Sequence, residues 1–204
     1  MTNPTMTITA KDVAELRAKT GAGMMDCKKA LEENGGDMAR AAEWLRSKGI
    51  MKAEKREGRE VKEGRIEIYH HHNAKVAVLV EVNCETDFVA RTDEFKHLCK
   101  DLAMHIASAA PLAVRIEDIP KDVVERERRI YTEQVATEGK PEAVRAKIVE
   151  GKLKKFYSES VLLEQPFVKD DKQTVGELVK AVSGKTGENF VVRRFVRYQL
   201  GEAV

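Results

Sequence analysis

With 204 residues, 34% of them charged and 42% hydrophobic, the chain is too apolar to be disordered and long enough to build an interior without a disulfide or metal staple. A net charge of +2 lacks the basic excess typical of a nucleic-acid binder, so no direct nucleic-acid partner is expected. No apolar run reaches the length of a membrane span, and residues 1–9 lack a signal-peptide core and the arginines of a transit peptide, so no membrane partner and a cytoplasmic location are expected.

Thr9 and Asp12 open a first helix with a capping-box arrangement, and Val13 and Leu16 give it an apolar stripe beside Arg17. Gly21-Ala22-Gly23 ends it. A second helix is expected over Met24–Glu33, stopping at Asn34-Gly35-Gly36. Asp37 then caps a third, over residues 38–48, whose apolar side is Ala41, Ala42, Trp44 and Leu45 and whose stop is Gly49. Three short helices in residues 1–50 make a small bundle resembling a ubiquitin-associated (UBA) domain, a likeness of fold that carries no ubiquitin function with it. Met24 and Met25 are about 100° apart on a helix and cannot both enter so small a core. One of them is expected at the surface, where a methionine adapts well to a protein contact. The Gly21-Ala22-Gly23 run is not a phosphate loop, since Gly-x-Gly-x-x-Gly needs glycine where Asp26 stands, and the element before it is a helix.

Residues 51–64 are dense in interleaved charge and nearly free of apolar side chains, which reads as a solvated helical linker supported by the pairs Arg56/Glu60 and Arg59/Glu63. The domain boundary is placed there, with residues 65–204 as the core. Ile66, Ile68 and His70 alternate along a first strand, His72-Asn73-Ala74 supplies a turn, and Val76, Val78, Val80 and Val82 alternate along a second. His70 and His72 would share a face, but no carboxylate or cysteine at metal-ligand spacing accompanies them, so no metal and no cofactor is expected. Cys27, Cys84 and Cys99 lie in helical or strand patterns without Cys-x-x-Cys spacing and read as reduced thiols.

The stretch 83–89, Asn-Cys-Glu-Thr-Asp-Phe-Val, joins the valine strand to a helix capped by Thr92, with Asp93 and Glu94 in its first turn. Asp87 and Phe88 therefore fall in a strand-to-helix connection. On pattern alone, a phenylalanine there packs back under the helix more often than it projects. Phe95, Leu98, Cys99, Leu102, Ala103 and Ile106 recur at helical spacing over residues 93–108 and mark the main core helix, with His97 and His105 off the centre of the stripe. Residues 111–116 are read as a third strand. Helices over about 120–137 and from Pro141 to about residue 160, joined through Gly139-Lys140-Pro141-Glu142, form an antiparallel hairpin, with Val124, Tyr131 and Val135 facing Val149, Leu153, Phe156 and Tyr157. Residues 172–187 hold one more helix. Gly184-Lys185-Thr186 in it imitates the end of a P-loop, but Val179 stands where the first glycine belongs. Phe190, Val192, Val196 and Tyr198 are expected on one face of a last strand, with Arg193 and Arg197 on the other. The fold class is α+β: a UBA-like three-helix domain, then a core with a small antiparallel sheet packed on helices and a helical hairpin. No nucleophile-and-base set, zinc spacing or dinucleotide fingerprint is present, which argues against an enzyme.

Two stretches, Thr86-Asp87-Phe88-Val89 within residues 82–91 and the run from Leu16 to Leu31, resemble the two signatures of the elongation factor Ts family. The resemblance covers nearly the whole chain. It implies a guanine nucleotide exchange factor that binds elongation factor Tu in translation elongation, disturbs its magnesium and phosphate site, and promotes GDP release so that GTP can bind. Carried onto this sequence, it makes Phe88 the wedge, Asp87 a contact to the displaced segment, and Thr86 and Val89 the residues that shape the turn. It also implies docking by Arg17, Met24 and Met25, and it leaves His105 as either a partner contact or a solvated helix residue. The single hairpin-and-helix core unit resembles the short form of the family, which implies a homodimer and a two-plus-two complex with elongation factor Tu.

Overall fold

In the computed structural model, which describes residues 8–137 and 141–202, helices and strands follow one another as α1 (Ala10–Thr20), α2 (Met24–Glu33), α3 (Met38–Glu54), β1 (Glu63–His70), β2 (Val76–Cys84), α4 (Asp87–Ala90) and α5 (Asp93–Ala109). The second half adds a 3-10 turn at Ile116–Asp118, then α6 (Lys121–Thr137), α7 (Glu142–Ser160), β3 (Pro166–Phe167), β4 (Asp170–Thr174), α8 (Val175–Thr186) and β5 (Val191–Gln199). The architecture is α+β, with a helical N-terminal region and a three-stranded antiparallel sheet ordered β1-β2-β5.

The N-terminal helices start and stop where side chains satisfy their loose backbone groups. Thr9 and Asp12 form a complete capping box on α1, Gly21 closes that helix in the left-handed region at φ 68°, and the Asp37 carboxylate accepts from the amides of Ala39 and Arg40 at the start of α3. Val13, Leu16, Cys27, Ala30, Leu31 and Ala41 make their buried core, with Trp44 and Leu45 packed on it. The third helix does not stop at Gly49. It runs through to Glu54 because Gly49 is covered: a Cβ on Gly184 of α8 would lie 2.4 Å from the Gly49 carbonyl oxygen. The two glycines let α3 and α8 approach backbone to backbone. The stretch expected to be a linker thus begins as helix and ends as strand β1, and while Lys62 pairs within it with Glu60, other charges pair outward, Arg59 with Glu85 and both Glu54 and Glu57 with Lys180.

The main core lies between the inner face of the sheet and α5. Val78, Val80 and Val82 alternate inward, and every stripe residue expected of the core helix, Phe95, Leu98, Cys99, Leu102, Ala103 and Ile106, is buried against them or against α8 and Phe190. The rings of Phe95 and Phe190 meet in a T-shaped contact with centroids 5.0 Å apart. The hairpin of α6 and α7 has its own apolar seam of Val135, Val149 and Leu153, with Val124, Tyr131 and Tyr157, as its spacing implies. The Gly139-Lys140 part of its connection lies outside the described residues.

Two further expectations are corrected. Residues 111–116 do not form a third strand: Ala113 makes a lone parallel bridge to Val161, and the carbonyls of Ala113 and Val114 accept from the amides of Leu162 and Leu163. That segment is satisfied by the chain leaving α7, not by the sheet, and Asp118 then caps the Arg115 amide to start the 3-10 turn. In β5, Val196 and Tyr198 do not continue the inward row of Phe190 and Val192. Val82 pairs with Val192 but Glu81 with Arg194, so Arg193 is an extra residue, and this bulge inverts the alternation. Phe195 and Arg197 turn inward, while Val196 and Tyr198 join Ile66, Ile68 and Leu79 on the outer face.

Candidate functional site

The stretch joining β2 to α5 is a single helical turn, α4, and not an irregular loop. Thr86 adopts extended backbone angles and its hydroxyl oxygen accepts from the Val89 amide, so it caps α4, and Thr92 caps α5 by accepting from the Phe95 amide. Between the two caps, Asp87 and Phe88 occupy the first positions of α4. Val89 is partly buried against the main core, and it roots the turn. Phe88 is 81% exposed, so the core-packing alternative does not hold. The physical reason is local: Val89 and Ala90 are the residues of α4 that turn under to the core, and at about 100° per residue Phe88 is rotated away from them. Asp87 sits beside it and pairs with Arg91 at 2.8 Å, one helical turn on.

The turn is also held from a distance. The Glu188 carboxylate accepts from the backbone amides of Glu85 and Thr86, both at 3.1 Å, and from the Thr86 hydroxyl. In return the Glu85 carboxylate accepts from the Asn189 amide at 2.6 Å and lies 3.5 Å from the Arg59 guanidinium. The Asn189 side chain donates to the Arg59 carbonyl at 3.0 Å. None of Glu85, Glu188 and Asn189 stands out in the sequence as a site residue. The signal that would have found Glu188 is the sequence just after a helix-closing Gly187, but what it reaches lies 102 residues earlier.

Arg17, Met24 and Met25 are all exposed on α1 and α2, with Met24 at 44% and Met25 at 77%. The structure exposes both methionines where the sequence required only one to be at the surface, because Cys27, Ala30 and Leu31 fill the buried face of α2 and leave its first turn projecting. His105 is neither solvated nor at the surface. It is fully buried, its Nε2–H donating to Gln165 Oε1 at 3.0 Å and its Nδ1 accepting from the Val168 amide at 3.3 Å. Gln165 is fixed in turn by donating to the carbonyls of Ala109 and Glu159. Burial holds the His105 pKa below the ordinary histidine value, opposed only in part by the Gln165 bond. In this chain the histidine is therefore a core hydrogen-bonding group, with no side-chain surface for a partner to touch.

Cys84 and Cys99 are buried thiols whose pKa burial pushes up to about 11 and about 12, so neither is a ready nucleophile. His71 Nδ1 lies 2.8 Å from the Tyr69 hydroxyl, and its ring meets that of His72 in a tilted contact with centroids 4.2 Å apart. Among the described residues no helix is long and apolar enough to cross a membrane. The site is a presented surface: a capped turn with an exposed aromatic and an acid.

The family model described as "Elongation factor TS" matches residues 4–202 of the chain. An elongation factor Ts from Nitratidesulfovibrio vulgaris is 55% identical over 196 residues, covering 96% of this chain and 98% of that relative. One from Coprothermobacter proteolyticus is 54% identical over 197 residues, 97% of this chain and all of the relative, and one from Prochlorococcus marinus is 57% identical over 198 residues, 97% of this chain and 91% of the relative. A match that spans the helical region, the sheet and the exposed turn alike leaves no segment to be explained otherwise, and the chain belongs to the elongation factor Ts family of translation elongation factors.

Proposed function

We propose that this chain is the guanine nucleotide exchange factor for elongation factor Tu, working in the cytoplasm, and that it acts through the turn at residues 86–89. The observation that carries the reading is Phe88, a large aromatic 81% exposed on a turn fixed by two helix caps. An exposed aromatic on a rigid mount inserts into a partner at little conformational cost. Phe88 is the wedge into the nucleotide-binding domain, Asp87 contacts the segment it displaces, and Thr86 and Val89 hold the turn in shape. Arg17, Met24 and Met25 give a second contact from the helical region. The chain then performs no covalent chemistry and needs no cofactor. Its work is linkage: by binding the nucleotide-free partner more tightly than the GDP-bound one, it weakens nucleotide binding by the same free energy. The magnesium whose displacement helps release GDP is the partner's own.

The outer face of the sheet supports the further reading of a homodimer. Ile68 pairs across to Leu79 and Leu79 to Val196, a row of three exposed apolar residues flanked by Ile66 and Tyr198. A contiguous apolar row on a sheet is a surface fit for association. Two chains joined there would present two turns, giving a complex of two factors with two partner molecules.

Release of a fluorescent GDP analogue from purified elongation factor Tu at fixed magnesium tests the function. Substoichiometric protein is expected to accelerate release. A folded protein that leaves the rate unchanged would defeat the proposal.

A further inference from the structure

We infer that Glu188 is a positioning residue for the exposed turn, holding residues 85 and 86 so that Asp87 and Phe88 are presented in one fixed conformation. The inference rests on the exchange-factor reading for its functional consequence, though not for its geometry.

By itself α4 has little to keep it in shape. It is four residues long, none of its residues is fully buried, and its own cap bond from the Val89 amide to the Thr86 hydroxyl is long at 3.4 Å. A single helical turn fixes several dihedrals for very few internal bonds and does not persist without outside contacts. Val89 and Ala90 supply apolar ones by packing on the main core, and Glu188 supplies polar ones at the entry to the turn. One oxygen, Oε2, accepts both amides of Glu85 and Thr86, and the other accepts the Thr86 hydroxyl, so a single carboxylate sets the backbone just before Asp87 and orients the cap. The Thr86 hydroxyl proton is thereby directed to Glu188, which leaves the oxygen facing the Val89 amide as acceptor.

The clamp has a firm base. Glu188 follows Gly187, which closes α8 in the left-handed region at φ 84°, and the Glu188 carbonyl accepts from the Ser183 hydroxyl at 2.5 Å. Glu85 and Glu188 are both acids in close company, yet each is turned to a backbone amide of the other segment: Glu188 to Glu85, and Glu85 to Asn189. The exchange ties residues 85–86 to residues 188–189 in both directions. Since α8 packs on α3 through Gly49 and Gly184, the base of the clamp is continuous with the helical region that carries Arg17, Met24 and Met25.

Amide hydrogen exchange on the full-length chain, without partner, tests the geometry. In Glu188→Ala the amides of residues 85–92 are expected to exchange at least about tenfold faster than in the wild type, with α5 unchanged as internal reference. Glu188→Gln is expected to restore most of the protection, because a carboxamide oxygen can accept the two bonds that Oε2 accepts. Glu188→Asp, one methylene shorter, keeps the charge but loses the reach, and is expected to loosen the turn even if the alanine variant folds poorly. Wild-type protection in both the Ala and Asp variants would overturn the inference. In the GDP-release assay the loosened variants are expected to exchange about tenfold more slowly and Gln to recover. A loosened turn with undiminished GDP release would overturn the positioning role. Failure of the wild type to release GDP would instead defeat the exchange-factor reading, and amide protection alone would then decide the clamp.

Discussion

At the scale of single residues, two side chains of similar apparent promise have opposite surroundings. Phe88 projects from the turn, so Phe88→Ala removes no core packing and is expected to change unfolding free energy by less than about 0.5 kcal/mol. Its cost should appear in exchange, as a fall of roughly 30-fold in GDP release, the equivalent of about 2 kcal/mol for truncating a central aromatic anchor. A large drop in thermal midpoint would count against this. His105 is the reverse case, a histidine with no surface. Its Nδ1 faces the Val168 amide, so a second ring proton would meet a donor. With its folded pKa below the unfolded value near 6.5, the unfolded chain binds the extra proton first. Its contribution to stability is therefore full above about pH 6.5 and declines as pH falls below it, levelling only at the depressed folded value. Urea unfolding between about pH 7.5 and pH 5.5 is expected to show this decline, and His105→Gln to flatten it; equal slopes in both proteins would show that the buried ring is not responsible.

At the scale of elements, the joint between α3 and α8 is the most sensitive place. Gly184→Ala would improve intrinsic helix propensity by up to about 1 kcal/mol, yet its methyl group would collide with the Gly49 carbonyl, a backbone atom that cannot swing aside. The expected result is a net loss of about 1–3 kcal/mol, as for other overpacked contacts, read as a lower thermal midpoint. An unchanged or raised midpoint would mean that the helices separate freely. The periodicity of α5, the valine alternation of β2 and the caps at Thr9, Asp37 and Thr92 were legible in the sequence because each is settled within a few residues. The end of α3 was not. Gly49 is a stop signal locally and a contact point globally, and only α8, more than a hundred residues away, decides between them. The same holds for His105, which helical spacing puts beside the stripe and which Gln165 draws inside.

At the scale of the whole molecule, the sheet has one covered and one open face. The bulge at Arg193 moves Val196 and Tyr198 to the open face, and β1 contributes Ile66 and Ile68 there while the inward pair of Arg65 and Glu67 bond each other at 2.6 Å. This is an inversion of the usual apolar-in, polar-out pattern at β1, and it fits an association surface. At micromolar concentration, sedimentation is expected to give twice the mass of one chain. Ile68→Lys, at a site already 67% exposed, is expected to give monomer with an unchanged fold. Monomer in the wild type would defeat the homodimer.

The sequence by itself determined most of the helices and the strands of the main sheet, the reduced thiols, the absence of familiar catalytic motifs and, through two signatures, the family. These are readable because propensity, capping and periodicity act over a few residues. Only the tertiary structure decided that Phe88 points outward, that His105 and Glu67 point inward, that β5 changes phase, and that Glu188 holds the turn. Each of those outcomes depends on which distant residue lies opposite, and neighbours in space that are far apart in the chain leave no local pattern to read.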